Sequence, residues 1–157
     1  MSTFNGLPAH ILLNHFVVVL GPLTAVLAIL CVLSPAARRR LIWLVLLLAV
    51  GMLVLTPMTT SSGPWLAARV GPASPALTTH EQLGETLIYM AAALVASVAL
   101  LTAVHIRQAR GGTVKFALHS VVGVLVIAAA VATLVQVYRI GDSGARAAWG
   151  HVTSSTQ

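Results

Sequence analysis

Charge is what this chain has least of. Only 8% of its 157 residues are charged and 58% are hydrophobic, against about 25% charged in an ordinary soluble domain. A chain so poor in charge cannot cover a water-facing surface, so its solvent must be lipid. Acid is scarcer than base, with three Asp and Glu against nine Lys and Arg and a formal net charge of +6. The basic residues stand in short connections between apolar runs. That placement reads as a membrane-topology signal rather than a nucleic-acid surface. The single cysteine, Cys31, excludes an intramolecular disulfide and a thiolate metal site. Its apolar setting makes it a core or lipid-facing residue. There is no Gly-rich phosphate loop, no Gly-x-Ser-x-Gly and no Cys-x-x-Cys. His80-Glu81 begins a His-Glu-x-x-His pattern, but Gly84 stands where the second histidine belongs. No carboxylate falls in the middle of an apolar run. These absences argue against an ordinary enzyme, and a transporter with so few helices would have to be an oligomer.

What is there is a set of apolar runs. At about 20 residues per crossing, the chain is expected to be an all-α, four-transmembrane-helix bundle made of two antiparallel hairpins. It reads as one integral membrane domain over residues 1–157, with helices roughly at 9–33, 41–57, 79–105 and 114–138 and a polar tail at 139–157. Asn5-Gly6 followed by Pro8 reads as a helix start. Pro22 within the first segment predicts a kink, because it removes a donor and clashes with the carbonyl four residues back. Met58–Thr78 reads as the longest loop, since Ser61-Ser62-Gly63-Pro64, Pro72 and Pro75 disfavour a continuous helix. Thr78 or Thr79 is expected to cap the third segment, with Glu81 or Gln82 completing a capping box. Ala92 and Ala96, with Ala99 and Ala103, are spaced to admit a neighbouring helix closely, as are Gly123 and the pair Ala128 and Ala132. The two hairpins have similar layouts but little residue similarity. They represent either an old duplication or simply what two hairpins look like.

Loop charge orients the chain. The two tight turns with Lys115 hold six basic residues and no acid, while the opposite side holds all three acids. By the positive-inside rule the tight turns face the cytoplasm and both termini face outward. The expected location is the bacterial cytoplasmic membrane, with multiple passes.

The chemistry-bearing residues gather near the ends of these segments. His10, His15 and His80 lie toward the outer side, His105 and His119 toward the inner side, and His151 in the tail. Ionisable groups in a span are functional candidates by default. Three readings compete. In the first, His10, His15, His80 and His119 are candidate ligands of a haem or a metal ion, imidazole being suited to iron, copper and zinc. In the second, Glu81 and Glu85, one turn apart beside a low-dielectric medium, favour holding a proton between them. With His80 they would form a proton or ion site. In the third, the histidines and Asn14 hydrogen-bond between helices and set the register of the bundle.

The run Gly6-x-Pro8-x-His10-x4-His15-Phe16, followed by Gly21-Pro22, resembles a family of small bacterial four-helix membrane proteins known only as a domain of unknown function. His80-Glu81-x-Leu83-Gly84, and His119 ahead of a Val-rich helix, are similar as well. The resemblance covers Gly6 to about Tyr138 and marks His10 and His15. Relatives joined to Rieske-type iron–sulfur modules imply a redox setting for some members, although this chain lacks that module's ligands. The leading expectation is a non-enzymatic accessory or electron-transfer-associated subunit with an outward histidine cluster. Its partners would be the bilayer and either a redox or respiratory membrane complex or further copies of itself, with no nucleic acid. The alternative is a proton- or ion-handling protein working through Glu81, Glu85 and His80.

Overall fold

The computed structural model describes residues 3–4, 7–70 and 74–154. Asn5, Gly6 and Pro72 lie outside the described residues, as does the side chain of His151. A two-residue antiparallel pairing, β1 (Thr3–Phe4) with β2 (Leu7–Pro8), precedes four helices: α1 (Ala9–Leu33), α2 (Pro35–Val70), α3 (Pro75–Ala109) and α4 (Phe116–Ser154). All four are long and apolar enough to cross a membrane. They form an all-α bundle in which α2 packs on α1 and α3, and α4 packs on α3 and α1. That arrangement leaves α1 and α3 facing each other across the diagonal. One end of the bundle carries the α1–α2 and α3–α4 connections and is called here the arginine end. The other is the histidine end.

The helices outrun the apolar segments. The 36 residues of α2 reach about 54 Å, well past a hydrocarbon core of about 30 Å. The expected loop at Met58–Thr78 is therefore mostly helix, since α2 continues through Pro57 and Pro64 to Val70. Each proline removes one main-chain donor, and one-turn serine and threonine bonds hold this stretch. Thr59, Ser61 and Ser62 donate to the carbonyls of Leu55, Met58 and Thr59. The expected tail likewise continues α4 to Ser154. At its other end α2 begins at Pro35, so Arg38–Arg40 stand in its first turns rather than in a turn before it. Two Ser-Pro pairs start helices. Ser34 accepts from the Ala37 N–H, and Ser74 accepts from the Leu77 N–H, with Pro35 and Pro75 in the first helical position. The cap of α3 is therefore Ser74, and Thr78 and Thr79 instead donate back to Ser74 and Pro75 carbonyls. The α3–α4 connection closes at Gly111, whose φ of 78° suits glycine at a helix end.

The alanine stripe read as a helix contact faces outward. Ala92, Ala96, Ala99 and Ala103 are exposed, while Leu87, Ala91, Leu94, Val98 and Leu101 are buried. The close approaches involve other small residues. At Gly21 an added Cβ would stand 3.1 Å from Val137 and 3.2 Å from Met52, and at Gly123 it would stand 3.1 Å from Val32. Helix α1 thus runs through Gly21-Pro22 pressed between α2 and α4. Cys31 is wholly buried in the core.

The burial pattern repeats. Ile42, Val45, Ala49, Met52, Thr56, Thr59 and Ser62 are buried on α2. Each has a buried counterpart on α4 at the offset that relates Ser62 to Ser143: Gly123, Val126, Ala130, Thr133, Val137, Ile140 and Ser143. On α1, Val17, Gly21, Thr24, Ala28 and Cys31 correspond likewise to Leu87, Ala91, Leu94, Val98 and Leu101 on α3, at the offset from His10 to His80. The two hairpins are structural repeats with an approximate two-fold axis along the bundle, as the matching neighbour relations of the helices also require.

The repeat makes a stability prediction. Ala49→Leu and Ala130→Leu are expected to cost similar amounts, about 1–3 kcal/mol each, by overfilling equivalent buried positions. Ala92→Leu and Ala96→Leu on the exposed face should stay within about 0.5 kcal/mol of the parent. Unfolding of the four variants in detergent, followed by circular dichroism, ranks them.

Candidate functional site

The repeat brings two histidines together at one end of the bundle. His10 opens α1 and His80 lies in the second turn of α3. Their ring centres are 6.4 Å apart and the ring planes are nearly perpendicular, at 86°. Each ring is anchored in the same way to the helix beside it. The His10 Nδ1–H donates to the Thr59 carbonyl at 2.9 Å, with the Ser62 hydroxyl 3.4 Å away. The His80 Nδ1–H donates to the Ile140 carbonyl at 3.0 Å, with the Ser143 hydroxyl at 3.3 Å. Ser62 and Ser143 in turn donate to those same carbonyls, at 2.8 and 3.0 Å. A glycine follows each serine and lets the imidazole lie against the helix. An added Cβ would meet His10 at 3.5 Å from Gly63 and His80 at 3.0 Å from Gly144.

This geometry has a chemical consequence. A carbonyl only accepts, so the proton of each neutral imidazole is held on Nδ1 and the lone pair is left on Nε2. Neither Nε2 has a hydrogen-bond partner among the described residues. Both rings are half-buried and line one cavity of about 720 Å³ at the histidine end. Its walls are largely small residues, including Gly63, Ala67, Gly84, Gly141, Gly144 and Ala148. Glu81, Glu85 and Asn14 also line it. Along α2 the anchoring carbonyl of Thr59 lies about 32 Å from Arg38 at ~1.5 Å per residue, roughly one hydrocarbon thickness. The histidine pair is thus separated from Arg38 by about the thickness of a hydrocarbon core, and the last turns of α2 and α4 wall the cavity beyond it.

The other candidate residues do not join this pair. The His15 Nδ1–H donates to Ile11 of its own helix at 2.6 Å, and the side chain is exposed. His119 lies at the arginine end, where its Nε2 accepts from the Arg38 guanidinium at 3.3 Å. Arg38 and His119 are themselves equivalent positions of the repeat, so the axis carries one polar pair at each end. The His119 Nδ1 is buried without a partner among the described residues. Glu81 and Glu85 are exposed and form no salt bridge among the described residues, where the single ion pair is Arg146 with Asp142 at 3.0 Å. Among the described residues no group of three His, Cys, Asp or Glu converges.

Several contributing residues escaped the sequence reading. Ser62-Gly63 and Ser143-Gly144 look like turn signals, yet both lie inside helices as the seats of the two histidines. The clue available was the repetition of Ser-Gly behind a polar stretch in each half. Gln136 is a further such residue. It is buried and donates to the Leu83 carbonyl at 2.8 Å and the Thr86 hydroxyl at 2.6 Å, tying α4 to α3 just beneath the cavity.

The unequal glycine clearances predict unequal responses. Gly144→Ala is expected to push His80 off the Ile140 carbonyl, whereas Gly63→Ala leaves the His10 bond to Thr59 intact. Solvent protection of the Nδ1 proton in ¹⁵N-histidine-labelled protein reports both. Equal loss of protection in the two variants would contradict the geometry.

Comparison with known proteins agrees with this architecture. No curated protein and no solved structure matches the chain. A family model described as "Predicted membrane protein (DUF2231)" matches residues 6–157. With four membrane-crossing helices and a match over nearly its whole length, the chain belongs to the DUF2231 family of predicted membrane proteins.

Proposed function

We propose that this protein is a small, non-enzymatic, electron-transfer-associated subunit of the bacterial cytoplasmic membrane, and that it holds a metal-centred cofactor between His10 and His80. The observation that carries this reading is the matched anchoring of the two rings. An Nδ1–H bond to a main-chain carbonyl is how a metal-binding histidine is commonly oriented, and it raises the basicity of the Nε2 that ligates. Here the arrangement occurs twice, on facing helices, around one cavity. The location at a membrane face supports exchange of electrons with a partner in the adjacent aqueous space. The basic turns at the arginine end support a cytoplasmic position for that end, so the cofactor faces outward. His15 and His119 are not ligands in this reading, because His15 is exposed and does not line the cavity and His119 bonds Arg38 at the opposite end of the bundle.

A second reading is favoured by the presence of Glu81 and Glu85 on the same cavity wall as His80. Carboxylates beside an imidazole at a membrane face suit proton or cation relay.

Metal analysis of the full chain, purified in mild detergent from cells supplied with iron and copper, tests the first reading. About one metal per chain is expected, held at least tenfold more weakly in His10→Ala and in His80→Ala, the scale on which lost ligation or orientation weakens metal sites, and lost when both are replaced. His15→Ala and His119→Ala should retain it. A metal-free parent, or metal retained when both His10 and His80 are replaced, overturns the proposal. Proton flux in vesicles by metal-free protein, abolished by Glu85→Gln, would support the second reading instead.

A further inference from the structure

We infer that the cofactor is a planar metallomacrocycle of the haem class, bound edge-on between α2 and α4 with His10 and His80 as its two axial ligands. The inference rests on the reading of a metal-centred site at these two histidines and specifies what occupies it.

The first argument is the spacing of the rings. Two imidazoles bound trans to one metal have ring centres about 6 Å apart, given metal–nitrogen bonds of ~2.0–2.1 Å and the radius of the ring. The observed separation is 6.4 Å. Two ligands of a tetrahedral ion would bring the rings about 1 Å closer, with the same bond lengths at a smaller angle. The ring separation is therefore compatible with a trans pair.

The second argument is the number of ligands. A bare zinc or copper site takes three or four protein donors, and no group of three donor side chains converges among the described residues. A macrocycle brings its own four equatorial donors and asks the protein for axial ligands alone. A pair related by a two-fold axis is what such a metal requires.

The third argument is the shape of the space. His10 and His80 stand on the diagonal helices α1 and α3, so a plane between them opens toward the other diagonal, α2 and α4. Both of those walls carry small residues, Gly63 and Ala67 on α2 and Gly141, Gly144 and Ala148 on α4, beside the larger Thr60, Leu66 and Ile140. The cavity of about 720 Å³ falls in the range for cofactor-sized ligands, ~300–1,000 Å³. Gly141 is informative. It lines the cavity, and a Cβ there would meet nothing within 4 Å, so helix packing does not require a glycine at this position.

The test uses the full chain in detergent, stripped of bound metal, with three probes: iron protoporphyrin IX, Cu⁺ and Zn²⁺. Saturable uptake of one porphyrin per chain is expected, with the optical and paramagnetic-resonance signature of six-coordinate, low-spin iron carrying two imidazoles. His10→Ala and His80→Ala should each give a five-coordinate species that binds carbon monoxide. Ala67→Leu with Ala148→Leu narrows the slot from α2 and α4 at residues that neither anchor nor cradle either histidine. That variant is expected to lose porphyrin binding at least tenfold while its melting temperature and its two Nδ1–H bonds persist. Binding of Cu⁺ or Zn²⁺ at His10 and His80, with no porphyrin uptake, overturns this inference and leaves the metal-centred reading standing. No uptake of any probe removes both. Porphyrin uptake unchanged when both histidines are replaced is surface adsorption, and it overturns the inference as well.

Discussion

Inside a bilayer every polar group must find its partner within the protein, and that constraint organises this molecule. The hydroxyls of Thr24, Thr56, Thr102 and Thr133 each donate to a carbonyl four residues back in their own helix. They cost the core little and leave the helices to pack as apolar rods. The polar groups that cannot be satisfied this way are few and lie at the two ends of the axis. At one end Arg38 and His119 bond to each other. At the other, His10 and His80 turn outward from the diagonal and bond to carbonyls of the neighbouring helices.

Those carbonyls exist as acceptors in the right place because α2 and α4 do not stop where their apolar runs stop. Had α2 ended near Pro57, Thr59 and Ser62 would lie in a loop and His10 would have no fixed seat. The helix continues through Pro57 and Pro64 with Thr59, Ser61 and Ser62 bonded back to carbonyls of its own turns and with the His10 imidazole lying against Gly63. Helix extension, glycine notch and histidine anchor are one arrangement, present twice.

The repeat explains features that are hard to account for singly. Low residue identity between the hairpins hides it, since lipid-facing positions drift freely among Leu, Val and Ile. The buried positions keep their spacing because packing density leaves no freedom to shift a helix by one residue. Two-fold placement also gives a physical reason for a site with two ligands. Each hairpin supplies one histidine, and the approximate symmetry axis is where the two hairpins meet. Near the histidines the two halves differ in charge, with Ile11 and His15 in one matched by Glu81 and Glu85 in the other.

Some of this was readable from the residues alone. Composition excluded a soluble protein, the apolar runs marked four crossings, and the loop charges separated the two ends, because the transfer of side chains into lipid is local and sums over a window. The same local chemistry marked His10, His15, His80 and His119 as unusual. The choice among them belonged to the tertiary structure. In lipid the outward face of a helix is as apolar as its inward face, so the sequence carries almost no contrast to say which stripe meets protein. That is why the alanines at 92, 96, 99 and 103 looked like a contact and face outward, while Ala91 is buried. For the same reason only the packed bundle could pair His10 with His80, send His119 to Arg38 at the far end, and turn two Ser-Gly turn signals into helical seats for the histidines.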